Sequence, residues 1–187
     1  LTAEGKIRYL GVSVEKVEEA LKAIEYSNVS TVQIIFNMFR QRPKELFFEQ
    51  AARKNIGIIA RVPLASGLLS GKFSSDTVFL PGDHRYFNRE GAAFDKGETF
   101  SGIDYQLGLK AVDMLKKAFP DTSLAALALR WILMFNEVSC VIPGASSPEQ
   151  VVSNVNAGDT SRLTDEQMNV IENIYDTLIK PVVHHLW

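Results

Sequence analysis

Four short apolar runs, each followed by a loop and then a helical pattern, constrain the fold of this chain most strongly. The runs cover residues 7–14, 31–36, 56–62 and 138–142. Their length and their β-branched side chains are typical of strands. They are mostly continuous rather than alternating, which predicts strands covered on both faces. The alternation of strand and helix predicts an α/β protein with parallel strands.

The segments between the runs carry helix signals. Apolar residues recur at helical spacing, and helices are predicted over residues 15–26, 43–55, 105–119 and 123–135, with two more after residues 147 and 163. Ser13 is a candidate cap for the first helix. Thr164 and Gln167 form a capping box at the last one. The count is four βα units plus a terminal helix, whereas a closed barrel takes eight units in about 250 residues.

The turn after the fourth run has the features of a helix start that could hold an anion. Ser147 is a good N-cap, Pro148 suits the first helical position, and Gln150 completes a capping box. The free backbone N–H groups at such a start favour a phosphate. An ordinary strand-to-helix connection explains the same residues.

Charge and hydropathy exclude several classes of protein. A formal net charge of -2 over 187 residues leaves no basic footprint for nucleic acid. No apolar run reaches the ~20 residues that span a bilayer, and no signal-peptide pattern is present, so a cytoplasmic protein is predicted. The single cysteine, Cys140, lies in an apolar run and is predicted to be buried and unreactive. The chain starts at Leu1 with what reads as a helix end stopped by Gly5, so we expect a preceding segment.

A glycine-rich loop over residues 63–72 leads into a long segment, residues 73–102, that has no clear period. Connections of this length inside a compact domain are usually functional or mobile. The segment contains Arg85 and Arg89 among several phenylalanines. It is a candidate lid over a bound ligand, and a disordered connection is the alternative.

Short motifs follow each run in a recognisable order. They are Gly11-Val12-Ser13, Val32-Gln33, the sequence PLASGLLSGK at 63–72, Ile142-Pro143-Gly144-Ala145, Pro148-Glu149-Gln150-Val151 and Asn154. Each stands at or just beyond the carboxyl end of a predicted strand. In this order and spacing, over nearly all of residues 1–187, the chain resembles the second half of an aldo-keto reductase. The implied fold is one partial domain, strands five to eight of a TIM (β/α)8 barrel.

The resemblance implies a site for a nicotinamide cofactor, NADP(H) or NAD(H). The residues that it implies are Ser13 and Gln33 at the carboxamide, Leu64, Ser66 and Gly67 at the pyrophosphate, Gly144, Ala145, Ser146 and Gln150 around the adenosine ribose and its 2′ substituent, and Asn154 at the adenine. A hydroxyl and an amide can together satisfy the donor and the acceptor of a carboxamide. Taken singly, Ser13 is equally explained by helix capping and Gln33 by a satisfied core amide.

Three positions depart from the pattern of the resembled family. Val14 stands where an asparagine is usual, and Arg61 stands where many members stack an aromatic ring on the nicotinamide. An arginine can stack there or pair with a phosphate. Residues 144–150 carry no basic side chain, although a 2′-phosphate needs one. The choice between the two cofactors therefore stays open.

The resembled family takes its catalytic Asp, Tyr, Lys and His from the first half of the barrel, and this chain has none of those motifs. The first hypothesis is the cofactor-binding half of a reductase that turns a small carbonyl substrate into an alcohol, inactive without its other half. The second is a non-catalytic nucleotide-binding or regulatory module that associates with itself or another chain through exposed strand edges. The third is an unrelated flavodoxin-like sheet.

Overall fold

A computed structural model describes residues 1–187 and contains one four-stranded sheet with helices. The strands are β1 (Leu10–Ser13), β2 (Val29–Ile35), β3 (Gly57–Arg61) and β4 (Val138–Val141). The helices are α1 (Val17–Ala23), α2 (Phe47–Arg53), α3 (His84–Phe87), α4 (Tyr105–Ala118), α5 (Leu124–Ile132), α6 (Pro148–Gly158), α7 (Asp165–Ile174) and α8 (Lys180–Val183). Short 3-10 helices lie at Arg42–Lys44, Ala65–Ser70, Lys96–Glu98, Phe100–Gly102 and His184–Leu186, and a π turn at Tyr175–Ile179.

The four strands are all parallel and follow one another in the order β1-β2-β3-β4. This confirms the predicted α/β class and the number of βα units. Pairing begins at Leu10 opposite Val29, so the first strand is shorter than the apolar run that predicts it. Strands β1 and β4 each have one neighbour and therefore one free edge.

Helices cover one face of the sheet. Val32 and Ile34 of β2 and Ile58 of β3 are buried on that face. Phe36, just beyond β2, stacks on Trp131 of α5 with ring centroids 5.0 Å apart. Burying large aromatic side chains in this way supplies much of the stabilisation of a core.

The opposite face of the sheet is open at both edges. Ser13 on β1 and Cys140 on β4 are exposed, so the prediction of a buried Cys140 is wrong. A register shift between Ile58 and Ile59 places Cys140 beside Ile59, away from the helix-covered face. No second strand flanks β4 there. The sequence predicted strands that are covered on both faces. Along β1 and β4, only the face toward the helices is covered.

The start of α1 differs from the prediction. Lys16, not Ser13, is the N-cap, and the Glu19 carboxylate accepts hydrogen bonds from the backbone N–H groups of Glu15 (2.8 Å) and Lys16 (3.1 Å). The Ser13 hydroxyl accepts instead from the side-chain amide of Gln33 on the neighbouring strand, at 3.0 Å. At the other end of the chain, the capping box of Thr164 and Gln167 at α7 is confirmed.

The long segment 73–102 packs against the rest of the protein. It contains α3 and two of the 3-10 helices, and Phe79 and Phe100 are buried in the core. The Arg89 guanidinium lies 5.4 Å from the Phe79 ring centroid and 4.9 Å from that of Tyr105. The segment is thus folded rather than an unstructured connection, and its role as a lid stays a prediction.

None of the helices combines the length and apolar character that crossing a bilayer requires. The cytoplasmic location stays a prediction.

Candidate functional site

A cleft of about 700 Å³ opens beyond the carboxyl ends of β3 and β4. It lies between the loop after β3, the start of α6 and part of the segment 73–102. Eight of the predicted site residues line it: Leu64, Ser66, Gly67, Gly144, Ala145, Ser146, Gln150 and Asn154. Ligand sites of α/β proteins lie at this end of the strands, because the loops that can vary meet there.

The loop after β3 holds an unusual backbone conformation at the wall of the cleft. Val62, Ala65 and Ser66 have φ values of 51°, 47° and 55°, and Gly67 has a φ of 96°. A Cβ added to Gly67 would lie 2.8 Å from the ring of Phe73, so only glycine fits without a shift. Left-handed conformations at non-glycine residues, most of all at a β-branched valine, are costly and cluster at ligand sites.

The start of α6 forms the opposite wall. The Ser147 hydroxyl accepts from the Gln150 backbone N–H at 3.4 Å, which confirms it as the N-cap. The predicted return bond to Ser147 is wrong, because the Gln150 side-chain oxygen accepts from the Ser146 backbone N–H (2.8 Å) and hydroxyl (3.2 Å). The Asn154 amide donates to the Gly144 carbonyl at 3.4 Å. Gln150 and Asn154 therefore fix the shape of the turn that precedes the helix.

Three basic residues to which the sequence analysis assigned no contact with the cofactor also line the cleft: Lys72, His84 and Arg85. Arg85 forms hydrogen bonds to both carboxylate oxygens of Asp83, one of them 2.5 Å long, and these lower the pKa of Asp83 to about 2. Lys72 ends the motif at 63–72, which was its sequence signal. His84 and Arg85 come from the long segment, which the sequence predicted as a candidate lid without predicting its fold.

Ser13 ends β1 and Gln33 lies two residues before the end of the neighbouring strand β2, and neither lines the cleft. They face each other in the parallel register of β1 and β2, and the Gln33 amide donates to the Ser13 hydroxyl at 3.0 Å. The structure thus brings together the two residues that the resemblance implies at the carboxamide. Their role at a carboxamide stays a prediction.

Arg61 does not line the cleft either. Its guanidinium is buried and pairs with Glu15 at 2.6 Å and with Glu98. Burial and the facing Glu98 carboxyl raise the pKa of Glu15 to about 7. Sequence reasoning missed both carboxylates, because Glu15 and Glu98 stand 46 and 37 positions from Arg61.

A sequence profile of the Aldo/keto reductase family matches residues 1–176. The chain belongs to the aldo-keto reductase family, which confirms the resemblance and overturns the flavodoxin-like alternative.

Individual relatives agree with this assignment. An uncharacterized oxidoreductase of Bacillus subtilis (strain 168), YqkF, is 27% identical over 92% of this chain and 52% of its own length. The NADH-specific methylglyoxal reductase of Escherichia coli (strain K12) is 28% identical over 95% of this chain and 52% of its own. This chain thus spans about half the length of the curated relatives that it matches.

Solved structures give the same picture. The holo form of aldo-keto reductase AKR11C1 from Bacillus halodurans superposes with a TM-score of 0.67 at 28% identity, over 93% of this chain and 52% of its own. The glycerol dehydrogenase AKR11B4 from Gluconobacter oxydans superposes with a TM-score of 0.73 at 29% identity, over 96% and 52%. The four-stranded parallel sheet is therefore half of the barrel that these proteins share.

Proposed function

We propose that this chain is the cofactor-binding half of an NAD(P)H-dependent reductase that converts a carbonyl compound into an alcohol. The observation that carries the proposal is the convergence of eight predicted site residues on one cleft, at the strand ends where ligands of such folds bind. The bound nicotinamide would supply the hydride. The residues of this chain bind and orient the cofactor.

The chemistry of the cleft fits a dinucleotide with a central pyrophosphate. Lys72 brings a positive charge, and Arg85 a guanidinium that is paired with Asp83, to a cleft that has the glycine-rich loop on one side. Phosphates bind well to arginine and lysine side chains and to free backbone N–H groups. The turn around Gly144 and the side chain of Asn154 would hold the adenosine end, and Ser13 with Gln33 the carboxamide.

The basic residues of the cleft also bear on the choice of cofactor. Lys72, His84 and Arg85 offer a partner for a 2′-phosphate, although residues 144–150 carry no basic side chain. One relative is named for NADH and another, from Schizosaccharomyces pombe, for NADP(+). NADPH and NADH are therefore both candidates, and a direct comparison of their affinities for the chain decides between them.

Exposed apolar side chains beside β4 support a complementary half of the barrel as the partner of this chain. Ile142 and the α6 residues Val151, Val152 and Val155 are 45% to 63% exposed, beside the free edge of β4. Exposed apolar patches of this kind mark interaction sites. A partner half would cover this edge and bring the proton donor and the rest of the carbonyl pocket.

The non-catalytic module remains the second candidate, because the same free edges of β1 and β4 would serve self-association. Binding of NADPH and of NADH to the purified chain, measured by calorimetry, tests the main proposal. We expect micromolar to millimolar affinity and no reduction of an aldehyde by the chain alone. If neither NADPH nor NADH binds, the cofactor-binding role is rejected.

A further inference from the structure

Two carboxylates share one buried guanidinium at the junction of three elements. Arg61 ends β3, Glu15 follows β1, and Glu98 belongs to the 3-10 helix Lys96–Glu98 of the long segment. The Arg61 side chain is 11% exposed and donates to both carboxylates and, at 3.2 Å, to the Val14 carbonyl. The pair of Arg61 with Glu98 is the only side-chain ion pair that connects the long segment to the sheet.

The single positive charge of Arg61 does not fully compensate the two negative charges of the Glu15 and Glu98 carboxylates. Arg61 and Glu98 face its side chain, Arg40 donates to its backbone carbonyl, and Glu19 accepts from its backbone N–H. The second oxygen of the Glu15 carboxylate is buried without a hydrogen-bond partner. A buried carboxylate beside another carboxylate favours the protonated form, in which it can donate to its neighbour.

The long segment also forms two hydrogen bonds with the hydroxyl of Ser66. That hydroxyl donates to the Glu98 carbonyl at 2.8 Å and accepts from the Phe100 backbone N–H at 3.1 Å. A serine hydroxyl has one hydrogen to donate. While the segment is docked, Ser66 has no hydrogen left for a phosphate oxygen.

We propose that Glu15, Arg61 and Glu98 form a proton-sensitive latch, whose closed form withholds the Ser66 hydroxyl from the cofactor and whose opening releases it. The proposal rests on the cofactor site proposed above. Arg61 and Glu98 act as positioning residues, since they control Ser66 through the segment that carries Glu98.

The direction of the pH effect follows from the pKa of Glu15. It is raised from 4.5 to about 7 in the closed form, so protonation stabilises closure. The stabilisation is fully present below pH 4.5 and is lost as the pH rises to about 7. Opening should therefore become easier by up to about 100-fold across this window.

Hydrogen exchange of the apo chain tests the latch without any ligand. Wild type is compared with Glu15→Gln at about pH 5.5 and about pH 8. The amide of this variant can donate to Glu98 at every pH. At each pH the ratio of the two rates cancels the intrinsic pH dependence of exchange. The peptide around the Phe100 amide reports on closure. At the lower pH we expect wild type and Glu15→Gln to exchange at nearly the same rate. At the higher pH we expect wild type to exchange at least about fivefold faster than Glu15→Gln.

Two further variants keep this test decisive. Glu98→Gln removes the second carboxylate, which is one of the two causes of the raised pKa of Glu15. This variant should reduce the pH response, which covers the case that Glu15→Gln does not fold. Glu49→Gln, in the exposed pair with Arg53, is the matched control and should behave as wild type. A ratio of one at both pH values for Glu15→Gln and Glu98→Gln would overturn the latch.

Calorimetry with NAD⁺ links the latch to the site. This cofactor has no 2′-phosphate and so adds no phosphate that titrates in the window. We expect wild type to bind several-fold more tightly than Glu15→Gln at the higher pH and equally at the lower. Equal affinities at both pH values would overturn the autoinhibition. If exchange responds as expected but NAD⁺ never binds, the proposed function fails while the proton-sensitive closure stands.

Discussion

The side-chain amide of Gln33 donates to the hydroxyl of Ser13 at 3.0 Å, across two neighbouring parallel strands. The pair leaves the Gln33 carbonyl oxygen and the Ser13 hydroxyl hydrogen free, one acceptor and one donor. A carboxamide requires both.

Replacing Gln33 with alanine should therefore weaken NADPH or NADH binding by about tenfold, the value of one or two lost hydrogen bonds. ADP-ribose, which has no carboxamide, is the control ligand, and its affinity should not change. Calorimetric titration with both ligands checks this. An equal loss for the two would show that Gln33 acts on the fold of the site instead.

Removal of the Arg85 side chain tests the cationic side of the cleft. Charge-assisted hydrogen bonds contribute about 1.5–3 kcal/mol, so Arg85→Ala should weaken cofactor binding by about tenfold or more. The salt dependence of binding should also decrease. Arg53→Ala, at an exposed arginine of α2 paired with Glu49, is the control and should leave binding unchanged. Equal affinities for the two variants would remove Arg85 from the site.

Two glycines of the cleft differ in what they tolerate. Gly67 has a φ of 96° and no room for a Cβ, whereas a Cβ at Gly144 would meet nothing within 4 Å. Gly67→Ala should lower the free energy of unfolding by about 1–3 kcal/mol. Gly144→Ala should change it by less than about 0.5 kcal/mol. Urea unfolding of both variants makes the comparison, and similar values would contradict the described loop geometry.

The aromatic cluster behind the sheet should dominate the stability of the fold. Phe36 is fully buried between Trp131 and Phe48, so Phe36→Ala should cost about 3–5 kcal/mol. Phe36→Leu, which retains most of the volume, should cost less and covers the case that alanine prevents folding. Phe87→Ala, at a 41% exposed position, is the control and should have a small effect. Chemical denaturation measures all three.

The exposure of Cys140 can be measured directly with a thiol reagent. The folded chain should react within about tenfold of the rate of a free thiol, because an exposed cysteine is not protected. Urea should therefore increase the rate only slightly. A rate increase of about 100-fold on unfolding would show that the edge of β4 is covered in solution. Slower labelling at higher protein concentration would support self-association through this edge.

Much of the fold and of the site could be predicted from local sequence. The four apolar runs, the capping box of Thr164 and Gln167 and the N-cap Ser147 are encoded within a few residues, and the structure confirms them. The order of the motifs was enough to recognise the family. Two of the failures have one cause in common. Cys140 and Ser13 depend on which strand lies next to them, and an apolar run does not tell which of its faces a partner covers.

The parallel α/β class could be inferred from the sequence alone, because strand ends and helix starts follow from local propensity and spacing. The eight residues that line the cleft were implied by the resemblance to the family, which the order of the motifs carried. Which charges meet depends on the tertiary fold. Lys72, His84 and Arg85 reach the cleft, and Arg61 is drawn away from it by Glu15 and Glu98. These contacts join positions far apart in the chain, and burial gives them their strength, so they exist only once the segment 73–102 packs against the sheet.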